Sequence, residues 1–537
     1  MRTLGIALTM IVLCVSPSWA DDVHRWGLYE TSLTSSQKHN GRQQYVEVEV
    51  EFTGPAGKTF VQPAFWDGGP VWKVRFAPRA VGTWTWQSRC KNDPSLNGQK
   101  GRFNCVPYAG DNPFYKHGPI RVSDNGHYFV HEDGTPFFWL VDTAWNGALK
   151  STRQDWVRYL DDRRAKLFTG VQYVVTQWRT AYTNPEGQVA YTGYETIKIN
   201  PEFFKRIDER TQAVNDKGLL AVPVLLWTLG RKEHNPGQLP EDQAILLARY
   251  MTARLGAYHV AWFLPGDGNY SGDNAQRWKR IGRAVFDRPG HAPVTLHPQG
   301  MQWPWDVFIG EKWVSFFGYQ SGHGDDGRTL QWIYAGPPAT KWNVQPARPV
   351  INLEPPYEDH IAYQSRQRHT AYTVRRAVYW SLLNAPTAGS SYGAHGVWSW
   401  ETAPNTPQEH GGTGVAQPWH VAMALPGSTH MRHMAALFTS IRWWELRPDP
   451  SLAHRVDQAP SADDPARHVS AARSADGRLA VVYVPVGGKI AIAPGVLKDG
   501  LKAQWYDPRS GAARPAGPTA EGRYRTPDDK DWVLVLK

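Results

Sequence analysis

The stretches WFLPGD at residues 262–267 and PVINLE at residues 349–354 have one pattern in common: a short apolar run that ends on a carboxylate. Apolar runs of this length are typical of strands buried on both faces, as in a parallel sheet covered by helices. Between about residues 112 and 444 such runs alternate with segments of helical period, which predicts β-α units. The predicted strands are Phe137–Val141, Gly170–Val175, Leu219–Trp227, Val260–Leu264, Pro293–His297, Trp313–Tyr319, Pro349–Leu353 and Ala377–Leu383. Eight such strands close a TIM barrel.

Shorter runs of alternating polarity lie on both sides of this region. They are clearest at 44–52 and 71–76 before it, and at 479–484 and 532–536 after it. Because successive side chains of a strand face opposite sides, this pattern predicts a β-sandwich at each end. The expected architecture is therefore multidomain, a central (β/α)8 TIM barrel between two β-sandwich domains. The expected bounds are 1–20 for a signal peptide, 21–110 for the N-terminal sandwich, 111–446 for the barrel and 447–537 for the C-terminal sandwich.

The first twenty residues have the features of a secretory signal. Arg2 is followed by the apolar run Leu4–Val15, and Ser18-Trp19-Ala20 matches a small-x-small cleavage site. The apolar run is shorter than the roughly 20 residues that a membrane-spanning helix needs, so no membrane insertion is expected. We therefore expect a secreted or periplasmic protein whose mature chain begins at Asp21.

Two cysteines, Cys90 and Cys105, remain after removal of this segment. An even pair in an exported chain predicts a disulfide, with two free buried thiols as the alternative. A closed loop of about 15 residues would stabilise its domain by about 3 kcal/mol in the chain-entropy model.

Composition points to a carbohydrate partner. The chain has 26 Trp, 23 Tyr and 18 Phe, and flat aromatic rings suit the apolar faces of sugars, although most aromatic residues of any protein are core. The net charge of +10 favours an acidic partner, but the chain contains no run of five Lys or Arg, which argues against nucleic acid. An oligo- or polysaccharide, with an acidic glycan such as pectin as one example, is the expected partner; a basic surface without an assigned partner is the alternative. The oligomeric state is left open.

In a TIM barrel the reacting groups lie at the C-terminal ends of the strands. The polar and aromatic residues that follow the predicted strands are therefore candidates for substrate binding. They are Asp142, Trp145, Gln177, Trp178, Arg179, Trp227, Asn269, His297, Tyr319, Gln320, His395, Trp398 and Trp400.

Two carboxylates, Asp267 and Glu354, follow the fourth and seventh predicted strands. Hydrolysis of a glycosidic bond uses one carboxyl group to protonate the leaving oxygen and a second to attack or stabilise the anomeric carbon. Strand ends three apart in an eight-stranded ring can face one another, so we predict Asp267 as acid/base and Glu354 as nucleophile, about 5–5.5 Å apart as in retaining enzymes. The alternative for each is a helix cap or an ion pair with arginine. No cofactor and no metal are expected.

The barrel region resembles the apiosidase-like glycoside hydrolases (DUF4038, glycoside hydrolase family 140) through FWLVDTAW at 138–145, the run ending at Asp267 and the segment around Glu354. The N-terminal region resembles the domain of unknown function DUF5060. The C-terminal region, through QWYDPRSG at 504–511 and DWVLVL at 531–536, resembles a collagen-binding-like domain found beside such barrels. The resemblance implies an exo-acting glycosidase, with release of apiose from a pectic side chain as the best-known activity, and catalytic roles for Asp267 and Glu354. Pro265 departs from the glycine of the family's pattern, which leaves the sugar open.

Three other functions compete with this one. GSSYG at 389–393 matches the Gly-x-Ser-x-Gly nucleophile elbow, which would make Ser391 the nucleophile of a serine esterase, although an elbow should stand directly between a strand and a helix. A non-catalytic carbohydrate-binding barrel would have the same aromatic rim. A polysaccharide lyase would need a Lys, Tyr or His base and a cation or arginines to neutralise a uronate, whereas the rim has no arginine cluster beyond Arg179.

Overall fold

The computed structural model describes residues 22–288, 290–457, 464–520 and 522–537. The predicted signal peptide lies outside these residues. Within them, eight parallel strands form one sheet whose order along the ring, in chain numbering of the barrel strands, is 5-4-3-2-1-8-7-6. The barrel strands are Trp139–Thr143, Gly170–Val174, Leu220–Leu226, Trp262–Pro265, Val294–Thr295, Phe317–Gln320, Val350–Glu354 and Gly389–Gly393. The predicted TIM-like barrel with flanking sheet-rich domains is confirmed.

The ring closes between the fifth and sixth strands, which share no ladder of paired residues in the described chain. The side chain of Thr295 spans this junction. Its hydroxyl donates to the carbonyl of Phe316 (2.8 Å) and accepts from the backbone N–H of Gly318 (3.1 Å). One backbone bond, from Ser315 to Val294 (2.8 Å), completes the contact. A side chain thus satisfies backbone groups that a regular ladder would otherwise pair.

The prediction of the eighth strand was wrong. Residues 377–383 belong to the helix Ala371–Leu383, and the strand is Gly389–Gly393. The run AVYWSLL is buried on every side, and a helix buried all round has no polar face to distinguish it from a buried strand. The observed strand consists mostly of small residues because its neighbours leave little room for larger side chains. A Cβ on Gly393 would stand 2.1 Å from the ring of Tyr357, and one on Gly389 would stand 2.0 Å from the carbonyl of Trp139.

Helices cover the outside of the barrel. The longer ones are Arg153–Ala165, Pro201–Asp216, Glu241–Leu255, Gly272–Val285, Gly327–Ala335, Ala371–Leu383 and Pro426–Thr439. Short helical turns are Pro113–His117, Gly147–Lys150, Trp305–Phe308, Pro337–Thr340, His395–Ser399 and Trp419–Ala422. None of the helices in the described part of the chain is both long enough and apolar enough to cross a membrane.

Side chains cap the N-termini of two barrel helices. Asn200 caps the helix that begins at Pro201, and its side chain accepts a hydrogen bond from a backbone N–H of the first turn. Thr152 caps the preceding helix, and its hydroxyl accepts from the N–H of Asp155 (3.1 Å). Asn and Thr are among the residues preferred at this position because their side-chain oxygens pair with N–H groups that the helix leaves free.

The N-terminal domain consists of two facing sheets. One contains Val23–His24, Lys100–Val106, Gly82–Arg89, Glu49–Thr53 and Thr59–Pro63; the other contains Tyr29–Thr34, Val71–Phe76 and Phe65–Gly68. Their inner faces share an aromatic core, in which Tyr29 and Phe103 stack at 3.8 Å. A buried network anchors this domain to the barrel helices: Arg75 donates two hydrogen bonds of 2.8 Å to Asp208 and contacts the carbonyl of Arg254.

The predicted disulfide is wrong, because Cys90 and Cys105 are both free and buried. The register of the hairpin gives the reason. Cys105 lies opposite Gly82, while Cys90 follows the far end of the same strand. At about 3.3 Å per residue the two cysteines are roughly 25 Å apart along the strand. A disulfide tolerates a Cα separation of at most about 7 Å.

The C-terminal domain also has two sheets. The larger contains Arg447–Pro448, Ser470–Arg473, Ala480–Val484, Trp532–Leu536, Ala503–Tyr506 and Ala513–Pro515; the smaller contains Ala453–Arg455, Lys489–Ile492 and Arg523–Arg525. Its larger sheet packs on the helix Ala371–Leu383. Arg375 of that helix forms a bidentate pair with Asp531, with both N–O distances 2.7 Å. Smaller sheets are Ile120–Val122 with Phe129–His131 and Pro136–Phe137, and the hairpin Tyr191–Thr192 with Lys198–Ile199.

Candidate active site

Glu354 ends the seventh barrel strand and is 8% exposed. Its Oε1 lies 2.9 Å from Nε2 of His323, and its Oε2 lies 3.3 Å from Nε2 of His297. The tautomer of His323 follows from its second contact, since the backbone N–H of Tyr357 donates to Nδ1 (3.3 Å). A backbone N–H can only donate, so Nε2 carries the ring proton and donates to Glu354. The carboxylate is therefore held by an oriented donor.

Asp267 follows the fourth barrel strand by two residues and is half-buried. Its Oδ1 is 3.5 Å from the side-chain nitrogen of Gln320, at the end of the sixth strand. Its carbonyl accepts a hydrogen bond from the hydroxyl of Thr228. Unlike Glu354, the Asp267 carboxyl group has one long hydrogen bond in the structure, and the charged groups that act on it are His297, Glu354 and Arg179.

The environments of the two carboxyl groups move their pKa values in opposite directions. Burial, reinforced by the negative charge of Glu354, raises the pKa of Asp267 to about 6, although His297 and Arg179 act in the other direction. Burial by itself would raise the pKa of Glu354 as well, but the contacts with His297 and His323 outweigh it and hold that pKa well below its ordinary value. Near pH 5 to 6 the pair therefore contains one protonated and one ionised carboxyl group. A pair of carboxyl groups whose pKa values are pushed apart in this way is the arrangement that acid/base chemistry requires.

A cationic group and an aromatic wall surround this pair. The guanidinium of Arg179 is within electrostatic range of both carboxylates, and its Nη2 donates to Nε2 of His410 (2.7 Å). The rings of Trp145, Trp227 and His297 pack together, with Trp145 5.7 Å from Trp227 and 5.4 Å from His297 between ring centroids. All three rings are almost fully buried.

Other predicted residues stand behind this wall and support it. Trp178 packs on Trp227 (4.3 Å between centroids) and donates to the side chain of Asn146 (2.7 Å). Trp398 donates from its indole to Nδ1 of His395 (3.1 Å), and Nε2 of His395 donates to a loop carbonyl. Their buried positions make Trp178, Trp398 and His395 packing partners of the rim.

The side chains of three predicted residues face the helix layer outside the barrel, so the structure does not bring them to the carboxylate pair. Asp142 faces the helix Arg153–Ala165, where it accepts hydrogen bonds from Tyr159 (2.6 Å) and Arg163 (2.5 Å). Trp400 stacks on Trp419 (4.8 Å), in the same helix layer. Tyr319 packs against Trp332 (5.7 Å), on the outer face of the sixth strand. Both faces of a barrel strand are buried, so the sequence does not tell which residues point inward.

The remaining two predicted residues lie in loops. Gln177 bridges backbone groups, donating to the carbonyl of Tyr191 (3.0 Å) and accepting from the N–H of Ala190 (2.9 Å). Its amide is thus occupied within its own loop. Asn269 is exposed beside Asp267 and accepts a hydrogen bond from Ser271 (2.8 Å).

Sequence reasoning missed three residues of the site. His323 follows the sixth strand by three positions, Tyr357 follows Glu354 by three, and Tyr363 lies further along the same loop. The hydroxyl of Tyr357 accepts from the indole of Trp145 (3.1 Å), and the ring of Tyr363 stands 5.7 Å from His323. The available signal was proximity to a strand end. The predicted residues after the sixth and seventh strands ended at Gln320 and Glu354, so the loops that follow those strands were not covered.

The nucleophile elbow is ruled out by the position of Ser391. The residue is the third of five in the eighth barrel strand and is fully buried. Its hydroxyl donates to the side chain of Gln172 (3.2 Å) and accepts from the indole of Trp139 (3.3 Å). An elbow serine must stand at the tip of a strand-to-helix turn and face the substrate. The esterase alternative is therefore wrong.

Elsewhere, a cleft of about 1180 Å³ separates the N-terminal sandwich from the helix Glu241–Leu255. None of the predicted catalytic or sugar-binding residues lines it. In the part of the chain that the structure describes, no three His, Cys, Asp or Glu side chains are grouped so as to hold a metal ion.

Comparison with protein families finds three consecutive matches. Residues 123–445, more than half of the chain, match the family described as "Apiosidase-like, catalytic domain". Residues 22–91 match the domain of unknown function DUF5060, and residues 448–537 match the "Putative collagen-binding domain of a collagenase". These matches confirm the resemblance seen in the sequence. A search of curated proteins finds no match.

Solved structures share the fold. A glycoside hydrolase of family 5 from Bacteroides vulgatus is 22% identical, with a TM-score of 0.69 over 80% of this chain and 95% of that one. A "putative glycoside hydrolase" from the same organism is 17% identical, with a TM-score of 0.71 over 96% of this chain and 100% of that one. At these identities the likeness shows a shared fold.

Proposed function

Because the chain belongs to the apiosidase-like family of glycoside hydrolases, we propose that it is an exported, retaining exo-glycosidase acting on a pectic or other polysaccharide side chain. The terminal sugar removed is a pentofuranose, with apiose first among the candidates. The observation that carries the proposal is the carboxylate pair, in which Asp267 has a raised pKa and Glu354 a lowered one.

In the first step Glu354 attacks the anomeric carbon while the bond to the leaving oxygen breaks. Oε1 has the shorter contact, 2.9 Å from His323, whereas Oε2 lies 3.3 Å from His297, so we assign the attack to Oε2, the less tightly held oxygen. Asp267, protonated near pH 5 to 6, gives its proton to the leaving oxygen. The product of this step is an ester between the sugar and Glu354.

In the second step a water molecule attacks the anomeric carbon and Asp267 takes its proton. The ester breaks and Glu354 leaves as a carboxylate. The donor N–H of His323 stabilises that carboxylate, which makes Glu354 a better leaving group in this step. Two successive inversions give net retention.

Three further parts of the proposal rest on the sequence and the family. The positive net charge of +10 supports an acidic polysaccharide such as pectin as the larger substrate. The apiosidase-like match supports apiose as the glycone. The N-terminal segment, with its cleavage site after Ala20, supports export to the periplasm or the medium.

The test is to incubate the protein with pectic fragments and with aryl apiosides and arabinofuranosides, and to identify the released sugar. We expect a terminal pentose as product and a first product of retained configuration in a proton NMR time course. Glu354→Gln and Asp267→Asn should lose activity, whereas Asp306→Asn, which changes an exposed carboxylate of the ion pair with Lys341, should not. An inverted first product would remove the nucleophile role from Glu354. Wild type that binds the fragments without cleaving any would contradict the proposal altogether.

Export has its own measurement. When the protein is expressed with its native N-terminus in a bacterial host, we expect to find it outside the cytoplasm. Its measured mass should be that of a chain whose first residue is Asp21. Retention of residues 1–20 in an intracellular protein would contradict it.

A further inference from the structure

We infer that Tyr363 is the stacking platform for the leaving-group sugar, the residue of the polysaccharide side chain to which the released sugar is attached. This inference deepens the proposed function and rests on it. Tyr363 is a large aromatic residue that is 54% exposed, beside a carboxylate pair whose other aromatic neighbours are almost fully buried. An exposed ring next to a sugar-cleaving site offers its face to a second ring.

The depth of each residue decides which sugar meets Tyr363. The anomeric carbon must contact Glu354, which is 8% exposed, so the released sugar occupies the deep part of the site beside Trp145 and His297. Its bond to the rest of the chain points toward Asp267, the half-buried acid, and from there to solvent. Tyr363 stands on this outer side. Partial burial, together with the charges of Glu354 and Asp267, raises the pKa of Tyr363 to about 12. Its phenol carries a proton at neutral pH and can donate it to a sugar oxygen.

The ring is held edge-to-face by two histidines. Its centroid is 5.7 Å from His323 at an interplanar angle of 85°, and 6.0 Å from His360 at 73°. His323 and His360 are themselves stacked at 4.1 Å. These contacts fix the orientation of the Tyr363 ring. Because Tyr363 is still more than half exposed, one face of the ring stays open to solvent.

The backbone that carries Tyr363 is fastened on both sides. It lies in a tight hairpin in which Ile361 pairs with Arg368 and the N–H of Ala362 donates to the carbonyl of Gln367 (2.8 Å). The N–H of Tyr363 donates to the carbonyl of His323 (3.0 Å), in the loop after the sixth strand.

Two further contacts tie this hairpin to neighbouring loops. The N–H of Ser365 donates to the side chain of Asp325 (3.1 Å), and Arg366 donates to the carbonyl of Gly412 (2.9 Å). A platform that is already ordered costs little conformational entropy when the sugar binds.

The experiment compares two substrates with the same glycone: a pectic oligosaccharide ending in the released pentose, apiose or arabinofuranose, and the corresponding glycosyl fluoride. The fluoride has no leaving-group sugar. Tyr363→Ala should raise KM for the oligosaccharide roughly 3- to 10-fold, the range expected for one lost aromatic contact, and should change kcat/KM for the fluoride by less than about twofold. Tyr363→Phe keeps the ring and should restore most of the lost affinity.

Tyr45→Ala is the matched control, because Tyr45 is also exposed (37%) but belongs to the N-terminal domain. It should leave both substrates unaffected. An equal loss on oligosaccharide and fluoride would overturn the inference, since Tyr363 would then act on the released sugar or on folding. No change on either substrate would overturn it too. If the wild-type protein cleaves neither substrate, the proposed glycosidase function is contradicted, and so is the stacking role of Tyr363 that rests on it.

Discussion

Asp267 should control the alkaline side of the pH profile, because its pKa is raised to about 6 and only its protonated form can act as an acid. At that pKa about nine tenths of Asp267 is protonated at pH 5, about one tenth at pH 7 and about one hundredth at pH 8. We therefore expect kcat/KM to fall by about 90-fold between pH 5 and pH 8, with a midpoint near 6. Glu354, whose pKa is well below its ordinary value, should stay ionised across this range.

The perturbation is Asp267→Asn, which keeps the shape of the side chain and removes the acid. Loss of a general acid costs about 10²- to 10⁴-fold in rate, and the loss is smaller for a leaving group that needs no proton. The assay measures kcat/KM from pH 4 to pH 8 with two aryl glycosides, a phenyl and a dinitrophenyl derivative. In the variant we expect a large loss on the phenyl substrate, a small one on the dinitrophenyl substrate, and no alkaline limb near pH 6 on either.

A second measurement uses the coupling between the two carboxylates. Because the charge of Glu354 contributes to the raised pKa of Asp267, Glu354→Gln should lower that pKa, which infrared or NMR titration can follow. An alkaline limb near pH 6 that persists in Asp267→Asn would refute the assignment of this limb to Asp267. A wild-type kcat/KM that does not fall between pH 5 and pH 8 would refute the raised pKa of Asp267.

Three other outcomes follow from contacts in the structure. His323→Asn removes the oriented donor to Glu354, so the pKa of Glu354 should rise and the acid limb of kcat/KM should move up by about one pH unit, with the alkaline limb unchanged; an acid limb that stays in place would contradict this. Asp142→Asn removes the fully buried partner of Arg163 and leaves the guanidinium with its ion pair to Asp162, so it should cost about 2–3 kcal/mol in urea unfolding, while the folded fraction keeps its specific activity; wild-type stability would count against it. Ser391→Ala should retain hydrolysis within about twofold, since Ser391 packs inside the barrel, and a complete loss of hydrolysis in a folded variant would contradict this packing role.

The sequence predicted most of the barrel because its strands are short apolar runs between helical segments. Seven of the eight predicted strands overlap the observed ones. The exception is the eighth strand. The helix Ala371–Leu383 is buried on all sides by the C-terminal domain and the barrel, and burial of that kind erases the helical period. The strand Gly389–Gly393 lacks the apolar signal because Trp139 and Tyr357 fill its surroundings.

For the site, the sequence by itself determined that Asp267 and Glu354 end strands of one barrel, which is a local property of two apolar runs. Their unequal environments were decided only by the tertiary structure. His323 reaches Glu354 from another strand's loop, and burial near a second negative charge raises the pKa of Asp267. Both pKa shifts, the lowered one of Glu354 and the raised one of Asp267, depend on distances between residues that are far apart in the sequence. The same holds for Asp142, which the sequence placed at the rim and which the pleat of its strand turns toward the helices.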